Sequence, residues 1–274
     1  MIMEGLKSRA VALVVCAALI LVGWFGGSAI QNAQDDLITL RAAGLKADTV
    51  VMTIGEQEIT AAEYLYWLTN ACDTVYQYYG ITDWSMALSE DLTVGDYAKE
   101  QADYYVSQYA AIRQMAEEKD VTLTEEQQTE LDGMRDYYVG YYGSEEMYDY
   151  LLAYAGLTEE MLTESNVVPY LYETICAQLL GEGGELEPTE ARLQEFAETH
   201  GYTGASDEML LLYYTDTGYG AVYDYVNDYI EGMEVVKTEA YDAIDVAEFY
   251  PALLAERQAL PVPSLDTDDG SSAE

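Results

Sequence analysis

From residue 61 onward, apolar positions recur three and four residues apart, the period of a helix that buries one face. The clearest run is Tyr64, Leu65, Trp67, Leu68, Ala71, Cys72 and Val75. Thr60 followed by Glu63 forms a capping box in front of it, and Gly80 ends the pattern. A second helix starts at Thr93-Val94-Gly95-Asp96 and carries Tyr97, Tyr104, Tyr105, Tyr109, Ile112 and Met115. Thr124-Glu125-Glu126-Gln127 repeats the start signal before Leu131, Met134, Tyr138 and Tyr142. Over 143–181 two helices follow one another. Ser144 and Thr158 each precede a Glu-Glu pair, and Gly156 marks the corner where a left-handed residue closes the first helix. No proline interrupts the pattern before Pro169, and Pro188-Thr189-Glu190 opens a further helix to about His200. Five or six helices in succession predict a mainly α fold.

Two stretches depart from that period. Val50 to Ile54 and Gln57 to Ile59 are β-prone runs around Gly55, a short hairpin. After Gly201, Met209-Leu210-Leu211-Leu212-Tyr213-Tyr214 is a continuous apolar run of strand length. A helix-like stretch over 219–230, a β-prone scrap at Val235-Val236-Lys237-Thr238 and a helical segment over 246–257 complete a small α+β part, residues 201–260. Residues 31–47 read as a polar helical linker, 48–200 as the helical domain, and 261–274 as an acidic tail too polar to fold.

The N-terminal pattern differs again. Lys7 and Arg9 precede an apolar stretch over residues 10–30, the length of a bilayer-crossing helix, and Asp35 and Asp36 follow it. A retained single-pass anchor and a cleaved secretory signal, with small residues at Gly27-Ser28-Ala29, both satisfy it. Either one exports the remainder, so residues 1–30 are expected to bring the chain to the membrane, with its bulk extracytoplasmic or secreted. Cys72 and Cys176 then face an oxidising exterior, where a disulfide and two buried thiols are equally open.

Charge narrows the partner. The chain has 51 acidic against 11 basic residues, a formal charge of -40, which repels nucleic-acid phosphates and anionic lipid surfaces. One histidine, His200, leaves almost nothing for a histidine-rich metal site or a Ser-His-Asp triad, and no cofactor or metal is expected. Glu145-Glu146 and Glu159-Glu160 stand just behind helix caps, where acids favour the positive helix end. Asp266-Thr267-Asp268-Asp269-Gly270 has the wrong acid spacing for a calcium loop, and Gly183-Gly184 lacks the strand-turn-helix context of a phosphate loop. What stands out is 27 Tyr against 3 Phe: large rings with a polar tip, suited to half-wet surfaces. Tyr137, Tyr138, Tyr141, Tyr142, Tyr148 and Tyr154, with Tyr64 and Trp67, are the candidate contacts for an extended polypeptide.

The hairpin Val50-Val51 with Ile54-Gly55, Ile59-Thr60 and Glu63-Tyr64, the Gly156-Leu157-Thr158-Glu159-Glu160 corner, and the Pro188-Thr189-Glu190 helix together resemble the chaperone region of exported parvulin-type foldases, the SurA, PrsA and PpiD relatives of bacteria. Residues 50–64, 143–162 and 188–196 carry the likeness, which spans roughly residues 48–200. It implies a helical cradle for unfolded or extended exported polypeptides, acting without covalent chemistry, followed by a parvulin domain that isomerises X-Pro bonds. Met209-Leu210-Leu211 stands where that domain has His-Ile-Leu, and the Gly-Gly-Asp-Leu-Gly stretch is absent, so a missing or degenerate parvulin domain is expected. A divergent peptidyl-prolyl isomerase is the alternative, and assembly with one dedicated envelope partner is a third reading. Client identity and oligomeric state stay open.

Overall fold

The computed structural model describes residues 36–263. The apolar segment at 10–30 and the tail from 264 lie outside them. Among the described residues, no helix is long and apolar enough to cross a membrane.

The described residues are mainly helical, with one three-stranded antiparallel sheet of order β2-β1-β3 among them. In chain order the elements are α1 (Ile38–Ala43), β1 (Val50–Ile54), β2 (Gln57–Thr60), α2 (Ala61–Tyr79), α3 (Val94–Glu118), α4 (Glu125–Asp132), α5 (Met134–Tyr142), α6 (Glu145–Ala155) and α7 (Glu159–Leu180). They continue as α8 (Glu190–His200), α9 (Asp207–Tyr214), α10 (Ala221–Glu231), β3 (Val235–Lys237), α11 (Glu239–Asp242) and α12 (Val246–Ala259).

The start signals act as expected. Thr60, Thr93, Thr124, Ser144, Thr158 and Thr189 each accept the amide three residues on, satisfying a first-turn donor that the helix cannot. The Asp96 carboxylate accepts from the Thr93 hydroxyl at 2.6 Å and from the Thr93 N–H at 3.0 Å, and these bonds hold its carboxyl below the usual carboxylate range.

Two apolar centres organise the packing. The larger joins α1, the sheet, α2, the first two thirds of α3, and α12. The smaller joins the last turns of α3 (Ala111, Ile112, Met115) to α7 (Ile175, Cys176, Leu179) and α10 (Val222, Val226). Cys72 lies in the first and Cys176 in the second; both are free thiols, so no disulfide joins them. Burial pushes the Cys176 thiol up to about 12, and Cys72 is raised as well.

Three sequence expectations change. Residues 31–47 are no polar linker in their described part: α1 is short, and Leu37, Ile38, Thr39 and Leu40 are buried where α12 packs over them. The apolar run at 208–215 is a helix, not a strand. Ser206 accepts the Met209 amide, and the length of the apolar run hid that cap. The scrap at 235–238 does form a strand, but it pairs with β1 far back in the chain, Met52 opposite Lys237 and Ile54 opposite Val235. Residues 201–260 therefore contribute one strand and no sheet of their own. β3 returns to β1 as an exposed edge strand and α12 to the larger core, and the chain from Gly181 to Gly232 lies between α7 and that return.

The corner at Gly156 is closed by its conformation and by a close neighbour. Its φ is +73°, and a Cβ there would overlap the Thr39 methyl of α1. Gly156→Ala is expected to cost about 2–4 kcal/mol, the left-handed penalty plus overpacking. Thermal denaturation checks this, and adding Thr39→Ser, which removes the methyl, should recover only the packing part.

Candidate functional site

One helix packs on one side only and turns its outer face to solvent: α5. Its sequence, Met-Arg-Asp-Tyr-Tyr-Val-Gly-Tyr-Tyr, places Tyr137 over Tyr141 and Tyr138 over Tyr142 at four-residue spacing. None of its residues is fully buried. The rings of Tyr137 and Tyr141 stack at 6.4 Å with planes 17° apart, and they are 66% and 72% exposed. Behind them, half-buried Tyr138 stacks on Tyr142 at 6.1 Å and on Tyr148 of α6 at 6.4 Å.

The inner row is pinned and the outer row displayed. Tyr148 is buried, with the Arg135 guanidinium 5.2 Å from its ring centre. Arg135 reaches Glu159 at 2.5 Å, Glu145 at 3.6 Å and Asp149 at 3.8 Å, tying α5 to α6 and α7. Burial pushes the Tyr148 hydroxyl up to about 12 and raises Tyr138 and Tyr142, so these rings stay neutral hydrogen-bonding groups at physiological pH.

Ring, cation and carboxylate recur together through the molecule. Lys237 lies 4.2 Å from the Tyr241 ring centre and 2.6 Å from Asp103. Arg257 lies 4.3 Å from that of Tyr154 and 2.7 Å from Asp73, and Lys119 lies 5.6 Å from that of Tyr225 and 2.7 Å from Glu185. With Arg135, four described cations sit on a tyrosine face while a carboxylate neutralises them.

The expected contact residues divide accordingly. Tyr137 and Tyr141 are open, Tyr138 and Tyr142 half-buried, and Tyr154 38% exposed beneath Arg257, to which its carbonyl is also bonded. Tyr64, Trp67 and Tyr148 are interior, and that corrects the expectation that they meet a client. α2 runs between the sheet, α3 and α1, so its wide apolar face is core. Tyr64 donates to Asp103 at 3.1 Å, and Trp67 stacks on Tyr105 at 5.2 Å.

Sequence reading missed the second exposed surface, Met209, Leu211 and Leu212 on α9. An apolar run on an eight-residue helix cannot bury every side, but the run was read as a strand. Two grooves flank the α6–α7 corner and the α3–α7 contact. One, of about 400 Å³, is lined by Leu37, Ile38, Leu152, Leu157 and Leu260, with Arg41, Asp149 and Glu159 among its polar groups. The other, of about 350 Å³, is lined by Arg113, Glu117, Asp120, Glu164, Val168 and Leu171.

His200 sits at the end of α8, its Nε2 2.9 Å from an Asp224 carboxylate oxygen and its ring on Phe196. Among the described residues, no three His, Cys, Asp or Glu side chains are grouped to hold a metal ion. What the exposed site offers is contact: aromatic faces, carboxylates and a fixed helical support. Compared with family models, with curated proteins and with solved structures, the chain matches none.

Proposed function

We propose that this is an exported, membrane-tethered, chaperone-like protein that holds unfolded or extended polypeptides on a tyrosine-bearing helical surface, without covalent chemistry or cofactor. The observation that carries the reading is α5: a helix with no fully buried residue, fastened through Arg135 and Tyr148, whose exposed aromatic side chains are two rings stacked on each other. Rigid rings with two rotatable bonds give broad contact at low entropy cost, which suits clients of varied sequence. The apolar segment at 10–30 supplies the tether, and the likeness to the helical region of SurA-type foldases favours the same assignment. In that likeness, residues 201–260 stand where the isomerase domain would be, reduced to helices and one strand.

The full chain in a neutral detergent is expected to slow aggregation of a chemically unfolded client at near-stoichiometric amounts. The Tyr137→Ser/Tyr141→Ser variant should lose most of that effect while keeping its helical circular dichroism and melting temperature. Identical aggregation curves with and without the protein would remove the reading. A protease-coupled proline assay is expected to give only the uncatalysed rate, and acceleration would restore the isomerase alternative.

A further inference from the structure

We propose that the exposed Tyr137–Tyr141 pair is a selective seat for arginine and lysine side chains of an extended polypeptide. The inference deepens the polypeptide-binding reading and rests on it.

Charge complementarity is the first support. The chain carries a formal charge of -40. Arg41, Lys99, Arg113, Lys119, Arg135, Lys237 and Arg257 are each bonded to carboxylates or carbonyls of the protein itself. Among the described residues, most of the positive charge is thus already engaged by the protein itself. On the chain around the ring pair, Asp132, Asp136 and Glu146 are exposed, while the Arg135 charge there is already met by Glu145, Asp149 and Glu159. An approaching cation is drawn by their field, which salt weakens.

The chain's own packing supplies the second support. Four times it places a cation on a tyrosine face with a carboxylate in reach, as Arg257 on Tyr154 with Asp73. Tyr137 and Tyr141 are rings of the same kind, largely exposed to solvent on an acidic stretch of chain. The quadrupole of an aromatic ring attracts a cation over its face, and guanidinium also stacks on it.

The third support is Gly140. It lies inside α5, its φ is not in the left-handed region, and a Cβ there would meet nothing within 4 Å. Neither backbone conformation nor packing accounts for a glycine where a helix prefers almost any other residue. Gly140 is three residues after Tyr137, a neighbouring position on the helix surface, so it leaves the flank of that ring clear.

The test is titration of the full chain, in neutral detergent, with a short unstructured Arg-Ser-Gly peptide and with its Gln-for-Arg counterpart, followed by fluorescence anisotropy. The arginine peptide should bind at least about tenfold more tightly than the glutamine one, and less tightly as salt rises. Tyr137→Leu/Tyr141→Leu should weaken the arginine peptide about tenfold, while Tyr137→Phe/Tyr141→Phe, which keeps both faces, should not. Gly140→Gln should bind more weakly while melting no lower, because it covers the flank of the Tyr137 ring and favours the helix. Equal binding of the arginine peptide by the Leu variant would reduce the attraction to bulk charge and overturn the proposal. Equal binding of both peptides, lost in the Leu variant, would overturn the preference for cations but leave polypeptide binding standing. If neither peptide binds and client aggregation is also unaffected, both fall.

Discussion

A chain begun at Asp48 is expected not to fold, although the helical pattern places a natural boundary there. The segment it omits puts Leu37, Ile38 and Leu40 into the larger core at 7%, 3% and 1% exposure. At about 1.5–3 kcal/mol for each buried aliphatic side chain, their loss amounts to about 5–9 kcal/mol, comparable with the whole stability of an ordinary domain. The same cut removes Arg41, which bonds Glu256 of α12 at 2.8 Å, and leaves α12 with a bare apolar face. Circular dichroism melts of fragments 36–263 and 48–263 test this. The longer should unfold cooperatively and the shorter should not, and matching melts would show that α1 is dispensable.

Breaking the ion pair between α2 and α3 should do comparable damage. Glu63 and Arg113 are 1% and 4% exposed, and their side chains meet at 2.5 Å inside the bundle. Burial pushes the Glu63 carboxyl up, and the guanidinium opposes that rise. Removing one partner of a buried pair costs about 3–5 kcal/mol, because the other charge stays without it in low dielectric. Arg113→Met is therefore expected to destabilise by about that much, and the double variant Glu63→Leu/Arg113→Met by less than Arg113→Met alone. The single variant has a further signature in pH. With the guanidinium gone, the folded-state pKa of Glu63, already raised by burial, climbs further above its unfolded value, so the folded chain holds the extra proton more strongly. Its stability should rise as pH falls toward the carboxylate range, and denaturant melts between pH 7 and about 5 would show it. A loss independent of pH would mean that Glu63 keeps another counter-charge.

Local order was legible where a cap and a period coincide. Thr60, Thr93, Thr124, Ser144, Thr158 and Thr189 each announced a helix, because a side-chain oxygen three residues before an amide leaves a mark in the sequence. Long-range choices left no such mark. Nothing in Val235-Val236-Lys237 says that β1 is its partner, and nothing in Leu37-Ile38-Thr39-Leu40 says that α12 returns to cover it. The tyrosine-rich faces were visible, but which rings face water depends on what packs over the helix. α2 is enclosed on several sides and α5 only on one, so Trp67 is core and Tyr141 is surface. The run at 208–215 failed differently: a Ser206 cap was outweighed by unbroken apolarity, which helix and strand share.

The central claim is that polypeptides bind across the outer face of α5. Photo-crosslinking from single positions tests it most directly, with a benzophenone side chain at Tyr137, at Tyr141 or, as a reference, at Glu100 on α3, in the full chain mixed with an unfolded client. The account predicts adducts from 137 and 141 with the unfolded client, few from 100, and few from any position once the client is folded. Equal yields from all three positions, or none from α5 while aggregation is still suppressed, would contradict it.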